Sequence, residues 1–336
     1  MKIAFINYYQ WLAARGAETF VRELTDLLQK KHSVHVFSGK KVLPARWPVI
    51  WRFFFDPQGL LIAWFSLKLI PRIWREKYDI VIPLNGGWQV AIVRIVTWLY
   101  GGKMVITGHS GMGWDDRNNL WSFPNVFIAL SRPAESWAKK VNPFVKSVYI
   151  PNGVDTKKFK AEGEKINIDL KKPIILCVGA LTKTKRIGLV IEAVTKLGNA
   201  SLLVVGKGEE EEALQALGTR LLGNKFKITS FPYEKMPNVY RVADVFTLVS
   251  ESYYSFENVL VEAMATNIPV VANNDPIRKE IVGDAGILVD PTNTNEYVEA
   301  LRKAIETDWG NKPREQAKKF DWDKIALEYE KIIRSL

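Results

Sequence analysis

The chain has one cysteine and three histidines among 336 residues. A lone thiol excludes a disulfide framework and any metal site built on paired cysteines. That residue, Cys177, lies inside the apolar run Pro173 to Val178, where a reduced, buried thiol is expected. Long hydrophobic runs are also lacking. The nearest, Gly59 to Leu67, stops at Lys68, short of the roughly 18 residues a membrane span needs. Met1-Lys2 leads straight into Ile3-Ala4-Phe5-Ile6, too short for a secretory core and without a small-residue cleavage site behind it. The expectation is a soluble, cytoplasmic protein.

Present instead is an alternation of strand-like and helical segments, twice over. In the first half, strand-like Lys2 to Asn7, Val34 to Phe37, Asp79 to Leu84, Lys103 to Thr107 and Val126 to Leu130 alternate with helical runs near Ala17 to Lys30 and Trp88 to Tyr100. In the second, Ile174 to Val178, Ser201 to Val205 and Lys227 to Ser230 alternate with helical runs near Ile187 to Leu197 and Glu209 to Leu217. Such alternation predicts α/β domains with parallel sheets covered by helices. The expected organisation is an N-terminal Rossmann-like domain over 1–155, a polar linker over 156–172, a C-terminal Rossmann-like domain over 173–320, and a helix over 321–336 packing back on the first domain. Two such sheets imply a cleft between them.

Charge is in surplus, with a net +11, and unevenly placed. Between residues 40 and 77, Lys40, Lys41, Arg46, Arg52, Lys68, Arg72, Arg75 and Lys77 face only Asp56 and Glu76. Trp47, Trp51, Trp64 and Trp74 share the segment. Basic residues with indoles suit an anionic membrane surface, to which the protein would attach peripherally on the inner side. The alternative is a solvated basic face over a packed aromatic core. No recognised nucleic-acid motif accompanies the charge, so nucleic acid is not an expected partner.

The most informative stretch is 244–291. A strand-like Val245 to Val249 runs into a polar, aromatic loop and then a helix from Asn258 to Ala265, followed by the apolar Ile268 to Ala272. A helix start presents free N–H groups to an anion, and Glu262 lies one turn in, on the face of Asn258. A phosphate and a hydroxyl can both be held there. Ligands of such folds sit at the carboxyl ends of strands.

Four segments resemble the family-4 glycosyltransferases, retaining enzymes of the GT-B fold, over nearly the whole chain. Arg15-Gly16-Ala17-Glu18 is similar to the family's Gly-Gly-x-Glu turn, and Ile150 to Asp155 with Phe159 to its hinge. Val178-Gly179-Ala180-Leu181 with Lys185 is similar to its phosphate-binding segment, and Phe256 to Ala265 with Pro269-Val270-Val271 to its donor helix. Three positions depart. Tyr254 stands where the first of two spaced glutamates is usual, with Glu251 and Glu257 out of register; Ala180 replaces an arginine; Arg15 replaces the first glycine of the turn.

The resemblance implies a nucleoside diphosphate sugar on the second domain and a glycan or lipid-linked acceptor on the first, with no cofactor and no metal. It assigns His109, Lys185 and Glu262 as catalytic candidates. The donor-binding candidates are Gly16, Arg186, Tyr254, Ser255, Phe256, Asn258 and Val259. Lys185, with Arg186 as a second charge, would meet the leaving diphosphate; Glu262 would hold ribose hydroxyls; His109 would meet the donor sugar. The changes at Tyr254 and Ala180 also admit a catalytically weakened nucleotide-sugar-binding or scaffold protein of the same fold. His32 and His35 read as structural, and the adjacent Asp115 and Asp116 as a solvated loop pair. A nicotinamide-dependent oxidoreductase would need a G-x-G-x-x-G turn; Gly206-Lys207-Gly208 is followed by Glu211 at the third position.

Overall fold

The computed structural model describes residues 1–10, 16–39, 56–251 and 256–336. It forms two compact units, Met1–Asn152 with Asp323–Leu336, and Gly153–Trp322. Each is a six-stranded parallel sheet flanked by helices, the α/β class anticipated from the alternation.

In the first unit the strands are β1 (Lys2–Ile6), β2 (Ser33–Phe37), β3 (Ile80–Pro83), β4 (Lys103–Thr107), β5 (Val126–Ala129) and β6 (Ser147–Tyr149), in the order β2-β1-β3-β4-β5-β6. Every residue of β3 and β5 is buried, because a parallel sheet covered on both faces demands continuous apolar runs. The helices are α1 (Gly16–Leu28), α2 (Pro57–Glu76), α3 (Trp88–Tyr100), α4 (Trp114–Trp121) and α5 (Arg132–Val141). At the start of α2 the Asp56 carboxylate accepts from the Gly59 N–H at 3.3 Å, and Pro57 follows at the first helical position. The left-handed Lys77 ends it, donating its N–H to the Ile73 carbonyl at 3.0 Å.

Half of the basic tryptophan segment, 40–55, lies outside the described residues. The remainder is α2, where Trp64 and Trp74 are 57% and 47% exposed, so these indoles do not form a core beneath the charges. The Lys68 ammonium lies 5.1 Å from the Trp64 ring centre. Among the described residues no helix is long and apolar enough to cross a membrane.

The second unit contains β7 (Ile174–Val178), β8 (Ser201–Val205), β9 (Phe226–Thr229), β10 (Val245–Leu248), β11 (Val270–Asn273) and β12 (Gly286–Val289), in the order β12-β11-β10-β7-β8-β9. Its helices are α6 (Ile187–Leu197), α7 (Glu211–Leu222), α8 (Met236–Tyr240), α9 (Asn258–Ala265), α10 (Pro276–Val282), α11 (Thr294–Glu306) and α12 (Lys312–Ala317). The chain leaves β7 in one direction and returns at β10 to build the other half, so the topological switch point falls between these two strands. Cys177 is buried in β7, and burial pushes its thiol up to about 12.

Residues 156–172 lie within the second unit. Phe159 is fully buried with its ring 5.8 Å from Tyr240, and Arg241 donates to the carbonyls of Lys160 at 2.8 Å and Glu164 at 3.1 Å. The last helix, α13 (Trp322–Arg334), buries Ile325, Tyr329 and Ile333; the rings of Tyr329 and Phe20 lie 5.7 Å apart within the first unit.

Gly206 and Gly208 follow the end of β8. They support the loop after β7. The Leu181 N–H donates to the Lys207 carbonyl at 3.0 Å, and a Cβ on Gly206 or Gly208 would collide with the carbonyl oxygen of Gly179 or Leu181. Gly206→Ala should therefore lower the unfolding free energy by about 1–3 kcal/mol or more, read from denaturant unfolding of the whole chain. An unchanged midpoint would refute the close backbone approach.

Candidate functional site

The second unit's site is assembled by two loops that leave the carboxyl ends of β7 and β10. They are fastened to each other through the backbone. The Glu251 N–H donates to the Thr184 carbonyl at 2.9 Å. Arg186, held in the left-handed region at φ 49°, donates from Nε to the Val249 carbonyl at 2.7 Å and from Nη2 to the Ser250 carbonyl at 2.8 Å. Arg186 is thus the clamp on the β10 loop as well as a nearby positive charge.

Lys185 precedes it in a single 3₁₀ turn and is 9% exposed. Its Nζ donates to both carboxylate oxygens of Glu257, at 2.8 and 3.0 Å. Glu257 is the residue before α9, so the ammonium sits at the opening of that helix, beside Asn258. Glu257 is out of register with the spaced glutamates, yet tertiary structure makes it the partner of the candidate lysine. A third group completes the cluster, the Arg278 guanidinium on α10, 1% exposed, with Nη2 3.1 Å from Glu257 Oε1. Its position, three residues past the helix-capping Asp275, gave no signal of this role.

Glu262 lies one turn into α9 and is buried; its Oε2 accepts from the Tyr240 hydroxyl at 2.7 Å. Burial, reinforced by the Glu262 charge, raises Tyr240 well above the usual phenol range, so it stays a donor. Phe256 is buried with its ring 5.7 Å from Phe320, while Asn258 and Val259 are half-buried in the first turn of α9. Tyr254 and Ser255 lie outside the described residues.

In the first unit, His109 follows β4. Its ring lies 4.6 Å from that of Phe20 on α1, and its Nε2 is buried without a hydrogen-bond partner among the described residues. Burial lowers its pKa to about 4, leaving a neutral imidazole at physiological pH. Gly16 opens α1 and is exposed; Arg15 lies outside the described residues. Behind the turn, the Asn7 amide donates to Gln10 at 3.1 Å and to the buried Glu18 carboxylate at 3.4 Å. Of the other histidines, His35 Nδ1 is 2.7 Å from the Tyr78 hydroxyl and the His32 ring is buried 3.9 Å from Glu330, which fits structural roles.

The Asp115-Asp116 pair does not behave as a solvated pair. Asp115 is exposed, whereas Asp116 is 2% exposed, its carboxylate accepting from the Asn119 amide at 3.1 Å. Burial pushes Asp116 up to about 7, against the pull of Asn119 and of the Ser110 and Gly111 N–H groups, with Asp115 adding to the rise. The spacing of α4 turns the first carboxylate outward and the second inward, beneath the loop that bears His109. Among the described residues no cluster of three His, Cys, Asp or Glu side chains is placed to hold a metal ion.

Comparison with known proteins matches the two units separately. The profile described as Glycosyltransferase Family 4 matches residues 14–158, and that described as Glycosyl transferases group 1 matches residues 158–320. The N-acetylgalactosamine-N,N'-diacetylbacillosaminyl-diphospho-undecaprenol 4-alpha-N-acetylgalactosaminyltransferase of Campylobacter jejuni is 31% identical over 176 residues, 50% of this chain and 48% of that protein. The phosphatidyl-myo-inositol mannosyltransferase of Mycolicibacterium smegmatis is 26% identical over 62% of this chain and 57% of its own. The chain spans about half the length of the curated relatives it matches. Among solved structures, Anabaena HepE in complex with UDP and glucose superposes with a TM-score of 0.77 at 19% identity, covering 100% of both chains. Sucrose-phosphate synthase from Thermosynechococcus elongatus gives 0.79 at 20% identity over 99% of this chain and 98% of its own. At these identities the likeness is one of fold.

Asp116 makes a pH prediction. A carboxyl raised to about 7 in the folded chain keeps a proton that the unfolded chain has lost, so it makes stability fall as pH rises from about 4 to 7. His109, lowered to about 4, acts oppositely over the lower part of that window and is common to both proteins compared. Asp116→Asn should therefore gain stability relative to the parent between about pH 4 and pH 8, by an amount on the order of a few kcal/mol. A difference that stays flat with pH would exclude a buried, proton-holding Asp116.

Proposed function

The chain belongs to the family-4 glycosyltransferases, and from that membership we propose that it transfers a sugar from a nucleoside diphosphate sugar to a glycan or lipid-linked acceptor, retaining the configuration at the donor carbon. The observation that carries this reading is the Lys185 ammonium at the opening of α9, at the switch point of the second sheet. When the donor C–O bond breaks, its electron pair passes to the departing diphosphate. Lys185 and the first N–H groups of α9, at Asn258 and Val259, meet that charge. The acceptor hydroxyl oxygen forms the new bond, and its proton goes to the leaving phosphate oxygen. The reaction so written uses neither a protein base nor a cofactor.

Other residues take supporting roles in the proposal. Glu262, oriented by Tyr240, accepts from the ribose hydroxyls. His109 serves as a neutral hydrogen-bonding group toward the transferring sugar, and the first unit takes the acceptor. The name of the Campylobacter relative carries a diphospho-undecaprenol and that of the Mycolicibacterium relative a phosphatidyl-inositol, which supports a lipid-linked acceptor. The UDP held by the Anabaena protein supports a nucleoside diphosphate donor.

We also propose peripheral attachment at an anionic membrane surface. Trp64 and Trp74 are exposed on α2, which also carries the exposed Lys68, Arg72 and Arg75, and Trp98 is exposed on α3; indoles and cations together are what the headgroup layer accommodates.

Lys185→Ala should reduce the turnover number by about 100- to 1,000-fold in a transfer assay over a panel of nucleotide sugars. Near-parental turnover in that variant would remove the assigned role. A parent that binds nucleotide but turns over no donor on the panel would overturn the transferase reading. Sedimentation with phosphatidylserine vesicles should be salt-sensitive and fall in Trp64→Ala; indifference to vesicles would discard the membrane surface.

A further inference from the structure

Glu257 is out of register with both glutamates of the family's pattern, yet its buried carboxylate is held by two cations. Its oxygens lie 2.8 and 3.0 Å from Lys185 Nζ and 3.1 Å from Arg278 Nη2, and all three side chains are buried. Because its carboxylate turns toward these cations, it gives no side-chain cap to α9, whose first residues follow directly.

Among the described residues, Arg278 has more donors than it meets acceptors. Asp275, its other carboxylate neighbour, is already committed. Its Oδ1 accepts from the N–H groups of Ile277 and Arg278, both at 3.0 Å, and its Oδ2 from the Asn273 amide at 2.7 Å. The Nη1 of Arg278 stands 3.3 Å from Asp275 Oδ2 without forming a hydrogen bond, and its Nε has no partner among the described residues. Ser250 Oγ, near the start of the β10 loop, is likewise buried and without a partner among the described residues. A buried guanidinium with unsatisfied donors is costly and calls for another acceptor.

We propose that Lys185 and Arg278 form a two-cation seat for the diphosphate of the donor, that the Glu257 carboxylate fills this seat in the free chain, and that binding displaces it. The inference rests on the donor reading above and adds Arg278 and Glu257 to it. The charge balance explains the exchange. Two cations against Glu257 and Asp275 leave the cluster neutral, so it adds little to the pull of Arg186 on an approaching diphosphate until Glu257 swings away. A diphosphate then supplies several oxygens where the carboxylate supplies two, satisfies the open donors of Arg278, and lies at the start of α9, whose dipole favours an anion. An internal carboxylate that must leave first lowers the apparent affinity by the fraction of time it is away.

The test is calorimetric titration of the whole chain with UDP, GDP and inorganic pyrophosphate. Glu257→Gln keeps the shape and removes the charge. It should bind whichever diphosphate the parent accepts about tenfold more tightly, as expected when the open form holds on the order of one part in ten. Arg278→Lys should bind more weakly in the Glu257→Gln background. A parent that binds while Glu257→Gln binds equally or less well, with its melting temperature preserved, overturns this inference and leaves the donor reading standing. If neither protein binds any of the three, the donor reading falls too. Independently of any variant's folding, the Arg278 Nε–H resonance of the unaltered chain should shift on saturation with nucleoside diphosphate. A resonance that does not move counts against the seat.

Discussion

A carboxylate held between a lysine and an arginine, out of contact with bulk water, sets the electrostatics of the second unit. Burying such ions is costly unless each is paired, so the Lys185, Glu257 and Arg278 side chains fix one another and with them the β7 loop, the start of α9 and the start of α10. The backbone makes the arrangement possible. Hydrogen bonds between the β7 and β10 loops, closed by the Arg186 clamp, bring Lys185 to Glu257 across 72 positions of sequence. The switch point of the sheet is the place where two loops can converge this way, since β7 and β10 are neighbours whose chains depart in opposite directions.

The first unit solves a different problem with uncharged groups. His109 is neutral against Phe20, and Asp116 lies under the same loop with its proton held to higher pH than an exposed carboxyl. Burial shifts these two groups in opposite directions, each toward its neutral form, in contrast to the ion-paired cluster of the second unit.

The fold class was legible because parallel strands, buried on both faces, write themselves as short apolar runs such as Ile174 to Val178. Helix α2 was harder to read. Exposed Leu60, Trp64 and Leu67 blur its periodicity, Pro71 interrupts it, and its charges suggested a surface segment before they suggested a helix. At the site, Lys185 and Glu262 were readable from local motifs. Their partners were not. Glu257 and Arg278 meet through tertiary packing, Tyr240 reaches Glu262 from a separate helix, and the inward turn of Asp116 depends on α4, whose few apolar residues gave little pattern.

The lone thiol also has a practical bearing. Cys177 sits sealed within a central strand of the second sheet, and its high pKa leaves almost no thiolate at neutral pH, the form that reacts with alkylating reagents. The folded protein is therefore chemically silent toward maleimides, and a cysteine introduced on any exposed turn becomes its single addressable handle. Fluorophores, spin labels or surface tethers can be attached one at a time without first removing a native residue.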